Sequence, residues 1–366
     1  MLPNKFQSPP VQGGILFCHD SGFETASNGK IMKGTHIVAG GIFLRRAFRV
    51  LLSILAAITA VGVYFTNRLM FMKKKEDEFI LSREREAGRI IDEEYDSLKK
   101  RDVSIPSPFG YEIKGVLAEP HDTNYFMIIS HGVTENKFNS IKYMNLFLER
   151  GFNALIFDHR RHGESGGKTT SYGHYEKFDL KSVVDWLKNE KGPHIKLGIH
   201  GESMGAATML LYAGMLEDGA DFYIADCPFS DFREQLAYRV KEEVRLPAGV
   251  LVPLAELFLR FRDKYSLREV SPITVIDNIK NPVLFIHSAK DDFILPSMTE
   301  ALYEKKNGPK MLFMAENGIH AQSFNENREQ YELAIDDFLL SIGMVPARKT
   351  ADFAQKSSTA QQSHMS

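Results

Sequence analysis

Hydrophobic and polar positions fall into three regimes along the chain. The first is a continuous apolar run: from Val50 to Asn67, "VLLSILAAITAVGVYFTN", no residue is charged and most are aliphatic. As a helix this run spans about 27 Å, close to the roughly 30 Å hydrocarbon layer of a bilayer. Arg45, Arg46 and Arg49 precede it, and Arg68 and Lys73 to Lys75 follow. Arg68 can snorkel, which lets "LMFM" (Leu69 to Met72) extend the apolar stretch. A buried core helix rarely carries dense positive charge at both ends, and no Ala-x-Ala-like cleavage site follows. Residues 34–72, with a core at 50–67, are therefore predicted to be an uncleaved single-pass anchor. Basic residues flank both ends, so the positive-inside rule does not fix its orientation.

The second regime is charged and amphipathic. In residues 73–101, Ile80, Ala87, Ile91, Tyr95 and Leu98 recur at helical spacing on one face, which predicts a stalk helix. The third, residues 102–345, alternates short apolar runs with helical periodicity. "VSIPS" and "YEIKGVLAEP" predict a hairpin around Phe109-Gly110. "NYFMIIS", "NALIFD", "IKLGIH", "FYIAD", "PVLFIHS" and "MLFMAE" predict strands buried on both faces, separated by helices such as "SIKYMNLFLERG" and "AATMLLYAGML". That alternation predicts an α/β fold, a mostly parallel sheet covered by helices on both faces, with chemistry at the C-terminal ends of the strands. Residues 228–281 break the rhythm. Connections this long are uncommon unless functional, so this apolar helical segment is predicted to be a small cap. The polar tails, 1–33 and 346–366, are predicted to be disordered, with Met32 a second candidate initiation site.

Bulk composition changes this picture little. A net charge of -2 gives no general reason to expect nucleic acid, and only Cys18 and Cys227 are present, so no disulfide framework holds the fold.

Candidate chemistry begins with a duplication. "HGESGG" from His162 and "HGESMG" from His200 both contain Gly-x-Ser-x-Gly, the mark of a strained turn presenting a nucleophilic serine. By chance the pattern occurs in roughly one chain in ten of this length, so context must decide. Such an elbow needs a strand before it, a helix after it and small residues where backbones cross. Ser203 has "IKLGIH" before, "AATMLLYAGML" after, and Gly201, Gly205, Ala206 and Ala207 around it. Ser165 runs into the polar loop "GGKTTSYGHY". "GESGGKT" in the same loop is one residue short of a phosphate-binding loop and no helix follows.

A serine nucleophile needs a base, and the base an orienting acid. These should follow later strands in the order acid, then histidine. "AKDDF" after "PVLFIHS" offers Asp291 and Asp292, and "NGIHAQSF" after "MLFMAE" offers His320. Asp226, at the end of "FYIAD", is a third candidate acid. An oxyanion hole would draw backbone N–H groups from Met204 and from the "HGVTEN" turn at Val133, with His131 structural.

"SHGVTEN", "FDHRRHGES", "GIHGESMGA", "NPVLFIHSAKDD" and "HAQSF", in this order and spacing, resemble the alpha/beta-hydrolase superfamily over residues 103–343. They are most similar to its bacterial serine-aminopeptidase-like and acyl-hydrolase branch. The resemblance implies an alpha/beta-hydrolase fold and a Ser-Asp-His triad of Ser203, Asp291 and His320 acting through an acyl-enzyme. It implies no metal or cofactor, and it makes "DHRRHGES" a fold-marking loop. Family spacing selects Asp291 over Asp292, although Ser288 and Leu295 replace the usual glycine and proline. Many relatives carry an N-terminal anchor with the enzyme outside the cytoplasm, which implies a cell-membrane protein with an extracytoplasmic catalytic domain. The apolar cap points to hydrophobic ester substrates. The alternatives are a peptidase on short peptides, with Glu242, Glu243 or Glu256 to receive a free amino group, or a non-catalytic membrane-anchored binding module.

Overall fold

The computed structural model describes residues 35–245 and 247–345; the polar tails and Met32 lie outside them. Two compact units divide between Ala57 and Ile58. The first holds most of helix α1 (Thr35–Met70). Within α1, Phe43–Met70 is long and apolar enough to cross a membrane, by length and composition. Its side chains from Phe43 to Val61 stay exposed, Leu51 by 61% and Leu55 by 58%, the reverse of a globular core helix.

The second unit begins with the last turns of α1. Where periodicity predicts one stalk helix over 73–101, the structure has two short ones, α2 (Asp77–Glu86) and α3 (Asp92–Ser97). The break lies at Gly88, whose φ of 65° ends a helix without the penalty a Cβ would bring. Buried Glu84 anchors the turn: its carbonyl accepts from Arg89 and Ile90 N–H, and its carboxylate from Arg83 and Arg89. The helical face splits accordingly, with Ile80 and Ile90 buried but Ile91 exposed.

Strands β1 (Lys100–Pro106) and β2 (Glu112–Ala118) form the expected antiparallel hairpin, turning at Gly110. Then follow β3 (Tyr125–Ser130), α4 (Ile141–Glu149), β4 (Asn153–Phe157), α5 (Glu176–Lys191), β5 (Lys196–Glu202), α6 (Met204–Met215) and β6 (Phe222–Asp226). Helices α7 (Phe232–Arg239) and α8 (Ala248–Arg262), joined through a π-helical turn, occupy the long connection. The chain closes with β7 (Val283–Ser288), α9 (Pro296–Lys305), β8 (Lys310–Ala315), α10 (Ser323–Glu326) and α11 (Arg328–Ser341). Among the described residues the eight strands lie in the order β1-β2-β4-β3-β5-β6-β7-β8, parallel from β4 onward.

The double-sided burial read from the sequence has a direct cause in β3. Phe126 and Ile128 join one core with Leu180 of α5 and Met209 of α6; Met127 and Ile129 join the other with Met144 of α4 and Phe338 of α11. Alternate residues serve opposite layers. Ile128→Ala is expected to cost about 2–5 kcal/mol, read as a lower urea midpoint by Trp186 fluorescence.

The end of α1 is stitched to this body. A Cβ on Gly62 would fall 2.5 Å from the Phe258 ring, so glycine is what lets α8 approach. Arg262 of α8 donates to Thr66 Oγ1, to Asn67 Oδ1 at 2.6 Å and to the Val63 carbonyl at 3.3 Å. Beyond the helix, Thr170 N–H donates to Met70 O (3.0 Å), Arg161 to Met72 O (2.9 Å) and Lys75 N–H to Thr134 O (3.1 Å). Glu135 then receives Lys75 Nζ and both terminal nitrogens of Arg83.

Candidate active site

Strand β5 runs directly into α6, and Ser203 makes the corner with φ 54° and ψ −115°. A serine pays for that left-handed backbone, and such strain persists only where the surroundings enforce it. Enforcement comes from crowding. A Cβ on Gly205 would lie 2.0 Å from the Ser130 carbonyl oxygen, and one on Gly201 2.5 Å from Ala206 N. Gly205→Ala is therefore expected to destabilise the protein by about 3 kcal/mol or more and to lower activity in the fraction that folds. Normal stability together with normal turnover would refute the crowding argument.

From this corner Ser203 Oγ lies 2.8 Å from His320 Nε2, and His320 Nδ1 lies 2.7 Å from Asp291 Oδ2. Loops after β5, β7 and β8 thus bring together three residues expected on sequence grounds. The Asp291 carboxylate is itself fixed. Its Oδ1 accepts from the backbone N–H groups of Phe293 and Ile294 at 2.9 and 3.0 Å. Its Oδ2 also faces His287 Nε2 at 3.0 Å. Burial alone would raise the Asp291 pKa, but the hydrogen bonds from His287 and His320 hold it well below the usual carboxylate range.

The competing candidates have other partners. Asp292 is exposed, and its backbone carbonyl accepts from Tyr238 and Arg239. Asp226 is buried, accepting from Ser323 Oγ at 3.1 Å and more loosely from Tyr143 at 3.4 Å. Burial, followed by the charge of Glu202, pushes the Asp226 pKa up to about 6. A carboxyl raised in the folded state stabilises below its unfolded pKa and loses that contribution as pH rises through the folded value. Asp226→Asn is thus expected to stabilise the protein above pH 6, by up to about 3 kcal/mol, and to leave pH 4 nearly unchanged. Thermal melts across pH 4–8 check this; a gain that is equal at both ends would overturn it.

Ser165 Oγ donates to the Asp158 carbonyl at 2.7 Å and accepts from Lys114 N–H at 2.8 Å. Both bonds hold the loop to the sheet. Around it, Asp158 accepts from Lys137 and from Glu164 N–H, and a Cβ on Gly163 would strike the Asp158 carboxylate. The Gly-x-Ser-x-Gly around Ser165 thus belongs to a loop held to the sheet. His131 donates from Nδ1 to Gly132 O and accepts at Nε2 from His159 N–H. Burial lowers its pKa to about 4, so it stays neutral and holds the turn that carries Val133.

Val133 and Met204 line the same cavity as Ser203. Met204 opens α6, where a backbone N–H has no acceptor within the helix and faces the positive end of its dipole. The cavity, of about 350 Å³, is mostly apolar, walled by α7, α8 and the end of α1. Cys227, Asp291 and His320 offer metal-ligand atoms within 4.8 Å of one another. Asp291 and His320 already bond each other, and burial pushes the Cys227 thiol well up, keeping it from the thiolate form that binds metals.

The family described as "Serine aminopeptidase, S33" matches residues 122–270. The uncharacterized Bacillus subtilis protein YqkD is 56% identical over 288 residues, covering 78% of this chain and 94% of that one. In fold, the chain is similar to the Pyrococcus furiosus esterase Pf2001, with a TM-score of 0.56 and 23% identity over 69% of this chain and 96% of that one. The chain belongs to the alpha/beta-hydrolase superfamily. Within it the protein is a serine hydrolase, esterase-like or peptidase-like. Both kinds stand among its structural neighbours, since Pyrococcus horikoshii acylaminoacyl peptidase matches with a TM-score of 0.52 and 18% identity over 67% of this chain and 42% of that one.

Two features of this hydrolase site escape sequence reasoning. His287 is legible only as a spacing marker four residues before Asp291, and its contact with that carboxylate is not. Phe65, Leu69 and Met72 read as membrane anchor, and nothing in their periodicity places them at a cavity.

Proposed function

We propose that the protein is a membrane-anchored carboxylic ester hydrolase acting on hydrophobic acyl substrates. The observation that carries this reading is the hydrogen-bonded line Ser203–His320–Asp291 opening onto an apolar cavity. In this mechanism His320 Nε2 takes the Ser203 hydroxyl proton as Oγ adds to the ester carbonyl. The resulting imidazolium donates through Nδ1–H to ionised Asp291. The oxyanion is held by the backbone N–H groups of Val133 and Met204. His320 then returns its proton to the departing alkoxide, leaving an acyl-Ser203 ester. Water, deprotonated by the same imidazole, cleaves that ester to the acid and free serine.

Specific features favour ester over peptide substrates. Glu243 lines the cavity but pairs with Arg239 at 2.6 Å, and Glu256 is buried against Ser266 and Arg260. Neither is free to receive an amino terminus. The apolar α1 supports single-pass anchoring, and the family resemblance supports an extracytoplasmic catalytic domain.

The test is fluorophosphonate labelling of the full chain in detergent micelles, followed by peptide mapping. Label on Ser203 that is lost in His320→Ala and kept in Ser165→Ala is the expected result. No label on the folded protein would refute the assignment. Faster turnover of aminoacyl-anilides than of acyl esters would refute the ester preference.

A further inference from the structure

The cavity beside Ser203 has an unusual wall. One side is cap: Leu236 of α7 with Leu251 and Ala255 of α8. Another part of the wall comes from Phe65 and Leu69 in the last turns of α1 and from Met72 just beyond. The uncharged run Val50–Asn67, which reads as membrane-spanning, therefore supplies Phe65 directly to the site. This wall is held in place. Thr66 is fully buried and Met70 nearly so. The Phe258 ring sits over Gly62, Arg262 ties down three groups of the helix, and Thr170 and Arg161 bind the carbonyls of Met70 and Met72. Lys75 N–H then bonds Thr134 O, the residue after Val133, where φ is 71°. The chain leaving the apolar helix thus reaches the candidate oxyanion turn without a break.

We propose that this cavity is an acyl-chain binding site in which Phe65, Leu69 and Met72 determine acyl length, so that the end of the membrane anchor is a specificity element of the enzyme. The inference rests on the ester-hydrolase reading above. An aliphatic chain extending from the carbonyl at Ser203 into this cavity meets mainly aliphatic and aromatic side chains. Each methylene removed from water there contributes about fourfold to the second-order rate constant. Side chains that change the length of the cavity must therefore change the ratio of long-chain to short-chain reactivity. A group acting only through stability would move both together.

The experiment uses the full chain in detergent micelles and two probes, an ethyl and a dodecyl fluorophosphonate. The wild-type chain is expected to react faster with the dodecyl probe. Leu69→Trp, which fills the cavity, is expected to cut the dodecyl rate more than tenfold while the ethyl rate stays within threefold. Phe65→Ala, which removes part of the wall, is expected to move the optimum of a p-nitrophenyl ester series, butyrate to palmitate, toward longer chains. Phe261→Ala, on the 70% exposed side of α8 and outside the cavity, controls for micelle partitioning and is expected to leave the ratio unchanged. An unchanged ratio in Leu69→Trp, or ethyl and dodecyl rates falling in parallel, overturns the wall while leaving the nucleophile intact. Failure of both probes on the folded wild-type chain overturns the Ser203 assignment, and the acyl site with it.

Discussion

Replacing Ser203 with alanine is expected to lower the turnover of p-nitrophenyl octanoate by a factor on the order of 10⁴ or more, in a chain that still folds. Removing a covalent nucleophile leaves only the contribution of binding and the oxyanion donors, hence the size of the loss. The methyl group fits, because only the hydroxyl is lost from a backbone that neighbouring glycines hold in shape. Ser165→Ala is the paired control, since both serines share one five-letter motif. Its hydroxyl bridges the Asp158 carbonyl and Lys114 N–H inside a buried loop. It should therefore cost about 1–2 kcal/mol of stability and leave turnover within threefold. Initial rates normalised to folded protein separate the two. Equal losses in both variants would show that activity had been lost through folding rather than chemistry.

Asp291→Asn is expected to lower kcat by about 10⁴ while Asp292→Asn stays within threefold. The asparagine can keep the turn that caps Phe293 and Ile294, but it presents no charge to an imidazolium and can hold the ring in the wrong tautomer. The pH dependence follows with a definite sign. Asp291 lies well below the ordinary carboxylate range in the fold. Its ion pairing therefore adds stability that is complete above the unfolded carboxylate pKa of about 4 and fades as pH falls through the folded value. Between pH 5 and 9 it stays ionised, so the Asp291 carboxylate itself contributes no acid limb to kcat/KM over that range. Asp291→Asn should correspondingly shrink the stability difference between the wild type and the variant as pH drops below 4. A stability difference that stays constant from pH 7 to pH 3 would count against the ion pair.

Much of this protein is written in local pattern. Runs such as "NYFMIIS" show no alternation because both faces of a parallel strand are buried, so the strands and a sheet covered on both faces are legible directly. Ser203 could be separated from Ser165 because an elbow requires a strand, a helix and small residues next to it in the chain. His320 followed from strand order. The break at Gly88 was masked, because a helical face can be drawn through Ile80 and Ile91 whatever the backbone does between them.

What the chain alone left open depends on partners distant in sequence. Asp291 and Asp292 are neighbours of the same type, and the residue resemblance favoured the first only by spacing. Turn geometry tells them apart, by pointing one carboxylate at two backbone amides, His287 and His320 and leaving the other exposed. Likewise the apolar run of α1 records only that its side chains avoid water. Whether they meet lipid or another part of the protein is set by contacts such as Arg262 to Thr66, 196 residues apart. Hydropathy fixes that a residue leaves water, because transfer free energy depends on the side chain itself; only the tertiary fold decides what replaces the water, and here it sets the end of the apolar helix against the cavity that Ser203 also lines.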